Sequence, residues 1–356
     1  MITQTIRNTI IKPNNNMHSY YEHDNPLIFI GYGSGSNPKL GSNSAIMQVQ
    51  ATTGDMRTIL FEAGESNWRS LMNMNAYHDA KHLTILISHT HSDHAGNLGS
   101  LLNHRYHKLH HEPTILIAAD DAQYVNIMNL LHGFGVSNYC YKLINIQEMT
   151  PFEAGEAAGI MNTQLIMPRT THDDMLSCHN IELILNENST DDNITSADAH
   201  EYQHIYWSGD TNTCDNAMHV IMNEYKKHEN IDNLHVYHEI RTDGNPHHTD
   251  LHALNHEVMR ISRSIAKLML SDEHEKKHNN TNANMSMINT DDGLLISNND
   301  MMHALCKQIY LNIKQHITVM HVDSDDTLNE AMRMGYMKPV CYEPHDAYTG
   351  VFFDNE

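Results

Sequence analysis

The sequence predicts a layered α/β protein, with sheets inside and helices outside. Three observations carry this. Short apolar runs recur along the chain, helix-length segments lie between some of them, and no window is long and apolar enough to span a bilayer. Residues 1–24 are polar and Asn-rich and are expected to form a tail or an edge arm. From Pro26 the pattern changes: an apolar run at 27–30 enters the turn Gly31-Tyr32-Gly33-Ser34-Gly35-Ser36. Runs at 45–49, 58–61 and 83–87 are expected strands, followed by a helix over 97–103, a strand at 114–118 and a helix over 120–131. Further strands are expected at 164–167, 182–185, 205–207, 234–237 and 317–320. Helices are expected over 250–270 and over 327–334, the second stopped by Gly335. Two stretches, 186–204 and 271–300, are too polar to bury a face and are expected to be inserted loops, the second mobile.

Composition narrows the function classes. Forty per cent hydrophobic residues in a chain of 356 predict a buried core. A formal charge of −22 opposes long contacts with a phosphate backbone, so extended nucleic-acid binding is disfavoured, as is a membrane role. A small anionic substrate stays open, because bound metal ions can dominate a local field. The five cysteines, Cys140, Cys178, Cys214, Cys306 and Cys341, are odd in number and widely spaced, which disfavours a disulfide framework and a thiolate zinc site. The N-terminus lacks a basic start and an apolar centre, so a cytoplasmic location is expected.

The chemistry concentrates in His89-Thr90-His91-Ser92-Asp93-His94, directly after the apolar run 83–87. A strand ending in a His/Asp cluster sets several ligands on backbone that is already fixed. Imidazole with carboxylate suits Zn²⁺ or a similar first-row metal better than Mg²⁺ or Ca²⁺. With 30 histidines in the chain, His-x-His pairs arise by chance. The whole six-residue pattern is expected only about 0.01–0.02 times from composition, so a metal site is the stronger reading. A dinuclear site would need further ligands at later strand ends. Ser208-Gly209-Asp210-Thr211, Ile317-Thr318-Val319-Met320-His321 and Thr171-His172-Asp173-Asp174 offer them. Each alone would be an ordinary turn or a surface histidine.

From about residue 28 to 348 the chain resembles the metallo-β-lactamase superfamily, whose His-x-His-x-Asp-His signature is matched by His89, His91, Asp93 and His94. The resemblance implies a four-layer αββα sandwich with polar insertions, formed as one hydrolase domain over residues 25–356. It implies two Zn²⁺, with Mn²⁺ as the alternative. His89, His91 and His172 would hold one metal, Asp93, His94 and His321 the other, and Asp210 would bridge. One departure is visible: where the family usually has Asp before a small residue and Gly, this chain reads Glu62-Ala63-Gly64.

The complete signature, including Asp93, favours the branches that hydrolyse phosphodiesters. His238-Glu239 at a strand end and His247-His248-Thr249-Asp250 at a helix start resemble the branch that includes ribonuclease Z and cyclic-nucleotide phosphodiesterases, among them phage anti-Pycsar-type enzymes that destroy cyclic-nucleotide immune signals. By that resemblance His248 protonates the leaving oxygen and Glu239 orients it, with His247 the other candidate donor. Thr249 or Asp250 simply capping the helix is the plainer alternative. The expectation is a cytoplasmic, homodimeric phosphodiesterase that opens a 3′,5′-cyclic mononucleotide by attack of a hydroxide held between two metals. A tRNA 3′-processing endonuclease, another hydrolase of the same fold, and a non-enzymatic His-rich metal-binding protein are the alternatives. The chain has no Gly/Pro- and Lys-rich arm of the kind that grips tRNA.

Overall fold

A computed structural model describes residues 25–35, 37–50, 55–160, 162–173, 175–186, 202–278, 288–289, 295–296 and 298–341. The expected tail over 1–24 lies outside the described residues. Two sheets face each other. The first contains β1 (Ile28–Gly31), β2 (Ser44–Gln50), β3 (Met56–Phe61), β4 (His82–Leu86), β5 (Thr114–Ala118) and β6 (Tyr141–Asn145), in that spatial order. β1, β2 and β3 are antiparallel and β3 to β6 are parallel. The second sheet takes β7 (Thr163–Ile166), β8 (Ile181–Asn186), β9 (Tyr202–Trp207), β10 (Leu234–Glu239) and β13 (Ile317–Met320), in the order β13-β10-β9-β8-β7. Here β9, β10 and β13 run parallel. The two-residue strands β11 (Ile288–Asn289) and β12 (Leu295–Ile296) pair with each other.

Side-chain alternation explains why the sheets stack between helices. In β3, Ile59 and Phe61 join the core between the sheets, while Leu60 joins the core under the helices. In β9, Ile205 and Trp207 face the inter-sheet core and Tyr206 the outer one. In β13, Met320 points inward and Ile317 and Val319 outward. Trp207 anchors the middle layer, with ring centroids 5.7 Å from Phe29 and 5.3 Å from Phe61. The first sheet is flanked by α1 (Trp68–Met72), α2 (Asn75–His78), α3 (Ser92–Ala95), α4 (Leu98–His107) and α5 (Asp121–Gly133). The second is flanked by α7 (Asp215–His228), α8 (Leu251–His278), α9 (Asn298–Gln315) and α10 (Asp325–Arg333). The remaining helix, α6 (Pro151–Ala157), precedes β7. This is the αββα sandwich that the resemblance implied, and no helix among the described residues is long and apolar enough to cross a membrane.

Several elements differ from expectation. The 271–300 segment is helical at both ends: α8 runs eight residues past position 270 to His278, and α9 begins at Asn298. Beyond that segment α9 buries Ile313 and packs Ile309 and Tyr310 on the outer core, a helix face the apolar pattern did not mark. The expected loop over 186–204 gives way to β9 from Tyr202, and 187–201 lie outside the described residues. α7, α6 and β6 were not expected from the apolar pattern. α6 has a capping box, in which the Glu153 amide donates to Thr150 Oγ1 at 3.4 Å and the Thr150 amide to Glu153 Oε2 at 2.8 Å.

Candidate metal centre

The parallel strands β3, β4, β9, β10 and β13 deliver Glu62, His89, Asp210, Glu239 and His321 just at or beyond their carboxyl ends, and these residues meet at one rim of the sandwich. The turns there are tight. Glu62, Gly209 and His321 take left-handed backbone, with φ of 61°, 56° and 52°. Gly64 has no room for a side chain: a Cβ there would lie 2.1 Å from the Asp93 carbonyl oxygen and 2.2 Å from Ser42 Cβ. That approach lets the Ala63 amide donate to His94 O (2.6 Å) and the Asn97 amide to Ala63 O (2.8 Å), which pins α3 to the end of β3.

All seven predicted ligands come together, in two groups that share Asp210. His89, His91, His172 and Asp210 form one, and Asp93, His94, His321 and Asp210 the other. Within each group the donor atoms lie within 4.8 Å of one another. In the first, His91 Nδ1 is 2.9 Å from His89 Nε2 and 3.3 Å from His172 Nε2, and Asp210 Oδ2 is 3.5 Å from His172 Nε2. In the second, Asp210 Oδ1 lies 3.0 Å from His94 Nε2 and 3.4 Å from His321 Nε2, with Asp93 Oδ2 3.1 Å from the latter. Four donors at zinc bond lengths of about 2.0–2.1 Å in a tetrahedron would stand roughly 3.3 Å apart, so both groups have the size such a cation requires.

The opposite ring nitrogens are also occupied, which settles which atom each ring turns inward. His172 Nδ1 donates to His247 O (2.7 Å), His89 Nδ1 meets Ser88 Oγ (3.0 Å), and His321 Nδ1 lies 3.3 Å from Glu239 Oε2. His91 is reversed: its Nε2 faces Asp173 at 3.4 Å and its Nδ1 turns inward. Asp93 Oδ2 accepts from the Gly35 amide at 2.8 Å. Glu62, despite its extra methylene, reaches the same centre. It accepts from the Ser88 amide at 3.1 Å and from Trp207 Nε1 at 3.2 Å, and it stands 3.4 Å from His94 Nδ1.

Burial and mutual charge make the cluster costly unless a cation joins it. Burial alone would raise the Asp210 carboxyl, yet His321, His94 and His89 hold it well below the carboxylate range. Burial and the neighbouring His94 push His89 well down, whereas at His321 burial is outweighed by Asp210, Asp93 and Glu239 together, which carry it up to about 10. His94 Nε2 and Asp210 Oδ1, which face into the donor group, are buried without a well-formed hydrogen bond. Buried polar atoms left in that state in a nitrogen- and oxygen-lined cage fit a divalent cation of zinc type.

Beside the ligands, Glu239 Oε2 accepts from His248 Nδ1 at 2.7 Å. His247 turns elsewhere, its Nδ1 donating to His172 O at 2.9 Å, so the two neighbouring histidines have different partners. Thr249 caps nothing; its hydroxyl donates to Thr211 O (2.9 Å), and Asp250 Oδ1 accepts from the His252 and Ala253 amides instead. His238 stays out of the cluster, fully buried with Nδ1 on Glu239 O at 2.8 Å. A cleft of about 290 Å³ opens over the site, and Arg241 and Asn245, which sequence reasoning missed, share its wall. The one signal for Arg241 was its place two residues after Glu239.

Three solved structures are similar to this chain at low identity. The metallo-β-lactamase fold protein YhfI from Bacillus subtilis is 12% identical over 88% of this chain and 95% of its own, with a TM-score of 0.48. A long-form RNase Z from yeast is 16% identical over 75% of this chain, with a TM-score of 0.47; the chain spans only 39% of that protein's length. The human short-form tRNase Z is 13% identical over 83% of this chain and 92% of its own, with a TM-score of 0.41. A search of curated proteins finds no match. Residues 26–292, most of the chain and all the predicted ligands except His321, match the family model described as Anti-Pycsar protein Apyc1, and the chain belongs to that family.

Proposed function

We propose that this protein is a phosphodiesterase that uses two divalent cations, zinc or manganese, to open a 3′,5′-cyclic mononucleotide. The observation that carries the reading is Asp210, whose Oδ1 serves one donor group and whose Oδ2 serves the other, with the Glu239–His248 pair alongside. His89, His91 and His172 would hold one cation and Asp93, His94 and His321 the second. Bound there, the pair would supply Lewis-acid stabilisation of the charge that builds at phosphorus and would acidify water.

The chain's own residues account for the rest. The bond that breaks joins phosphorus to a ribose oxygen, and that oxygen needs a proton to leave. Glu239 accepts a hydrogen bond from His248 Nδ1–H and so favours the imidazolium, whose Nε2–H is left to give its proton in the cleft. Nδ1 of His247 rests on a neutral carbonyl and Nδ1 of His248 on the Glu239 carboxylate, so His248 is the donor in this reading. A cleft of about 290 Å³ is near the lower end of small-molecule sites and suits one nucleotide rather than a duplex. The −22 charge supports the same choice.

The test uses zinc- or manganese-loaded protein with cAMP, cGMP, cCMP, cUMP and a precursor tRNA, with metal content measured on the same sample. Opening of at least one cyclic nucleotide with about two tight metals per chain is expected. Cleavage of the tRNA with all four cyclic nucleotides untouched would overturn the substrate assignment. Many weakly held metals without turnover would leave only a metal-binding protein.

A further inference from the structure

We propose that Arg241 grips a phosphoryl oxygen of the substrate and is the anion-selecting side chain of the cleft; this rests on the phosphodiesterase reading above. Among the described residues Arg241 is the one Lys or Arg that lines the cleft, whereas Asp93, Asp173 and Asp210 all face it. Of the three, Asp93 and Asp210 belong to the donor groups, which leaves the Asp173 side of the wall with no positive side chain but Arg241. A permanent cation at the wall answers this, and a guanidinium does so with directed N–H groups.

The side chain is also prepared for the task. Its Nε donates to Asp243 Oδ1 at 3.1 Å and its Nη2 to Asp243 Oδ2, and among the described residues its hydrogen bonds go to Asp243 alone. Two of five N–H groups are therefore used and three remain. Asp243 is itself held, accepting from the Asn245 amide at 3.1 Å. The pair is oriented: the Asp243 side chain is 39% exposed and that of Arg241 only 12%, so the carboxylate meets solvent and the guanidinium lies inward. The backbone of Arg241 forms the neck of the loop that presents His248, its amide donating to Thr249 O (2.9 Å) and its carbonyl accepting from the Leu251 amide (3.1 Å). Substrate grip and proton donor thus share one anchored loop.

The experiment compares wild type, Arg241→Gln, Arg241→Lys and Asp243→Asn, all zinc-loaded and checked for equal metal content and melting temperature. Inorganic phosphate binding is followed by calorimetry, and KM and kcat are measured separately on whichever cyclic nucleotide is opened. Loss of a charge-assisted contact predicts about 10- to 100-fold weaker phosphate binding and a similar rise in KM for Arg241→Gln. Arg241→Lys should recover part of it, and Asp243→Asn should lose less than Arg241→Gln. A loop staple predicts instead equal losses for Arg241→Gln and Asp243→Asn, tracking their melting temperatures. That result, or phosphate binding by Arg241→Gln within twofold of wild type, or no phosphate binding by wild type, overturns the inference. Failure of the wild type on every cyclic nucleotide would sink the cyclic-nucleotide reading, and the calorimetry would still judge Arg241.

Discussion

Shortening Glu62 to Asp restores the residue type usual at this position in the resembling family, and it should nevertheless harm this protein. Removing one methylene withdraws the carboxylate by about 1.5 Å. Contacts of 3.1 Å to the Ser88 amide, 3.2 Å to Trp207 Nε1 and 3.4 Å to His94 Nδ1 would then all exceed hydrogen-bond reach. Ser88 and Glu62 are buried and Trp207 is fully so, which leaves two N–H donors without a partner or water. At about 1–3 kcal/mol each, offset by the easier left-handed backbone of Asp, the net loss is about 2–4 kcal/mol. For a chain of this size that is a fall of roughly 3–5 °C in melting temperature. Loss of the carboxylate behind His94 should also weaken zinc at that group by about 10–100-fold, read by chelator competition. Glu62→Gln, which keeps the length, should melt near wild type and lose zinc affinity alone. Glu62→Asp melting within about 1 °C of wild type with unchanged zinc affinity would refute the reasoning.

Three further outcomes are expected. Asp210→Ala removes the member common to both donor groups, so zinc measured by elemental analysis should fall from about two per chain to below one, with the circular dichroism spectrum retained. His248→Ala should keep its metal and lose about 10²–10⁴-fold in kcat on a cyclic nucleotide, yet lose far less on a p-nitrophenyl phosphodiester, whose leaving group needs no proton. Far from the site, burial pushes Glu224 up to about 7 beside Tyr202 and His204. A folded-state value above the unfolded one favours folding at low pH, and that contribution is lost as pH rises through about 7. Urea unfolding at pH 5 and pH 8 should therefore show wild type losing on the order of 1–2 kcal/mol relative to Glu224→Gln after solvent screening. A stability difference between the two proteins that is the same at both pH values would count against it.

The ligands were legible because their spacing is dictated by where strands end. A strand followed by His-x-His-x-Asp-His has few ways to avoid presenting four donors at a sheet rim, and Asp210 and His321 follow from the same logic, whereas His172 sits in the loop between β7 and β8 and was reached through the resemblance. What escaped was information carried by tertiary contact. Most of α9 carries no clear apolar stripe because Asn, Asp, Lys and Gln are interspersed with the residues it buries, and only the outer core tells Ile309, Tyr310 and Ile313 apart from their neighbours. α7 hides similarly, with Ala217, Met218, Val220 and Ile221 set among Asn, His and Lys. Arg241 could not be identified from sequence, since its significance depends on facing three aspartates from elsewhere in the chain.

The rim also explains why two such different sheets build one site. Each has a parallel part, β3 to β6 in the first and β9, β10 and β13 in the second, and these parts carry the carboxyl-end residues to the same edge. A strand that simply continued would carry its next side chain past that edge. Glu62 and His321 instead turn sharply in left-handed backbone, which costs a non-glycine residue roughly 1–2 kcal/mol, and Gly209 makes the same turn without that penalty. The expense falls on two residues whose side chains point into the cluster, Glu62 toward His94 and His321 toward Asp93 and Asp210. His110, Asn162 and Glu229 take the same left-handed backbone away from the site, but only at Glu62 and His321 does the turn aim a side chain into the donor groups.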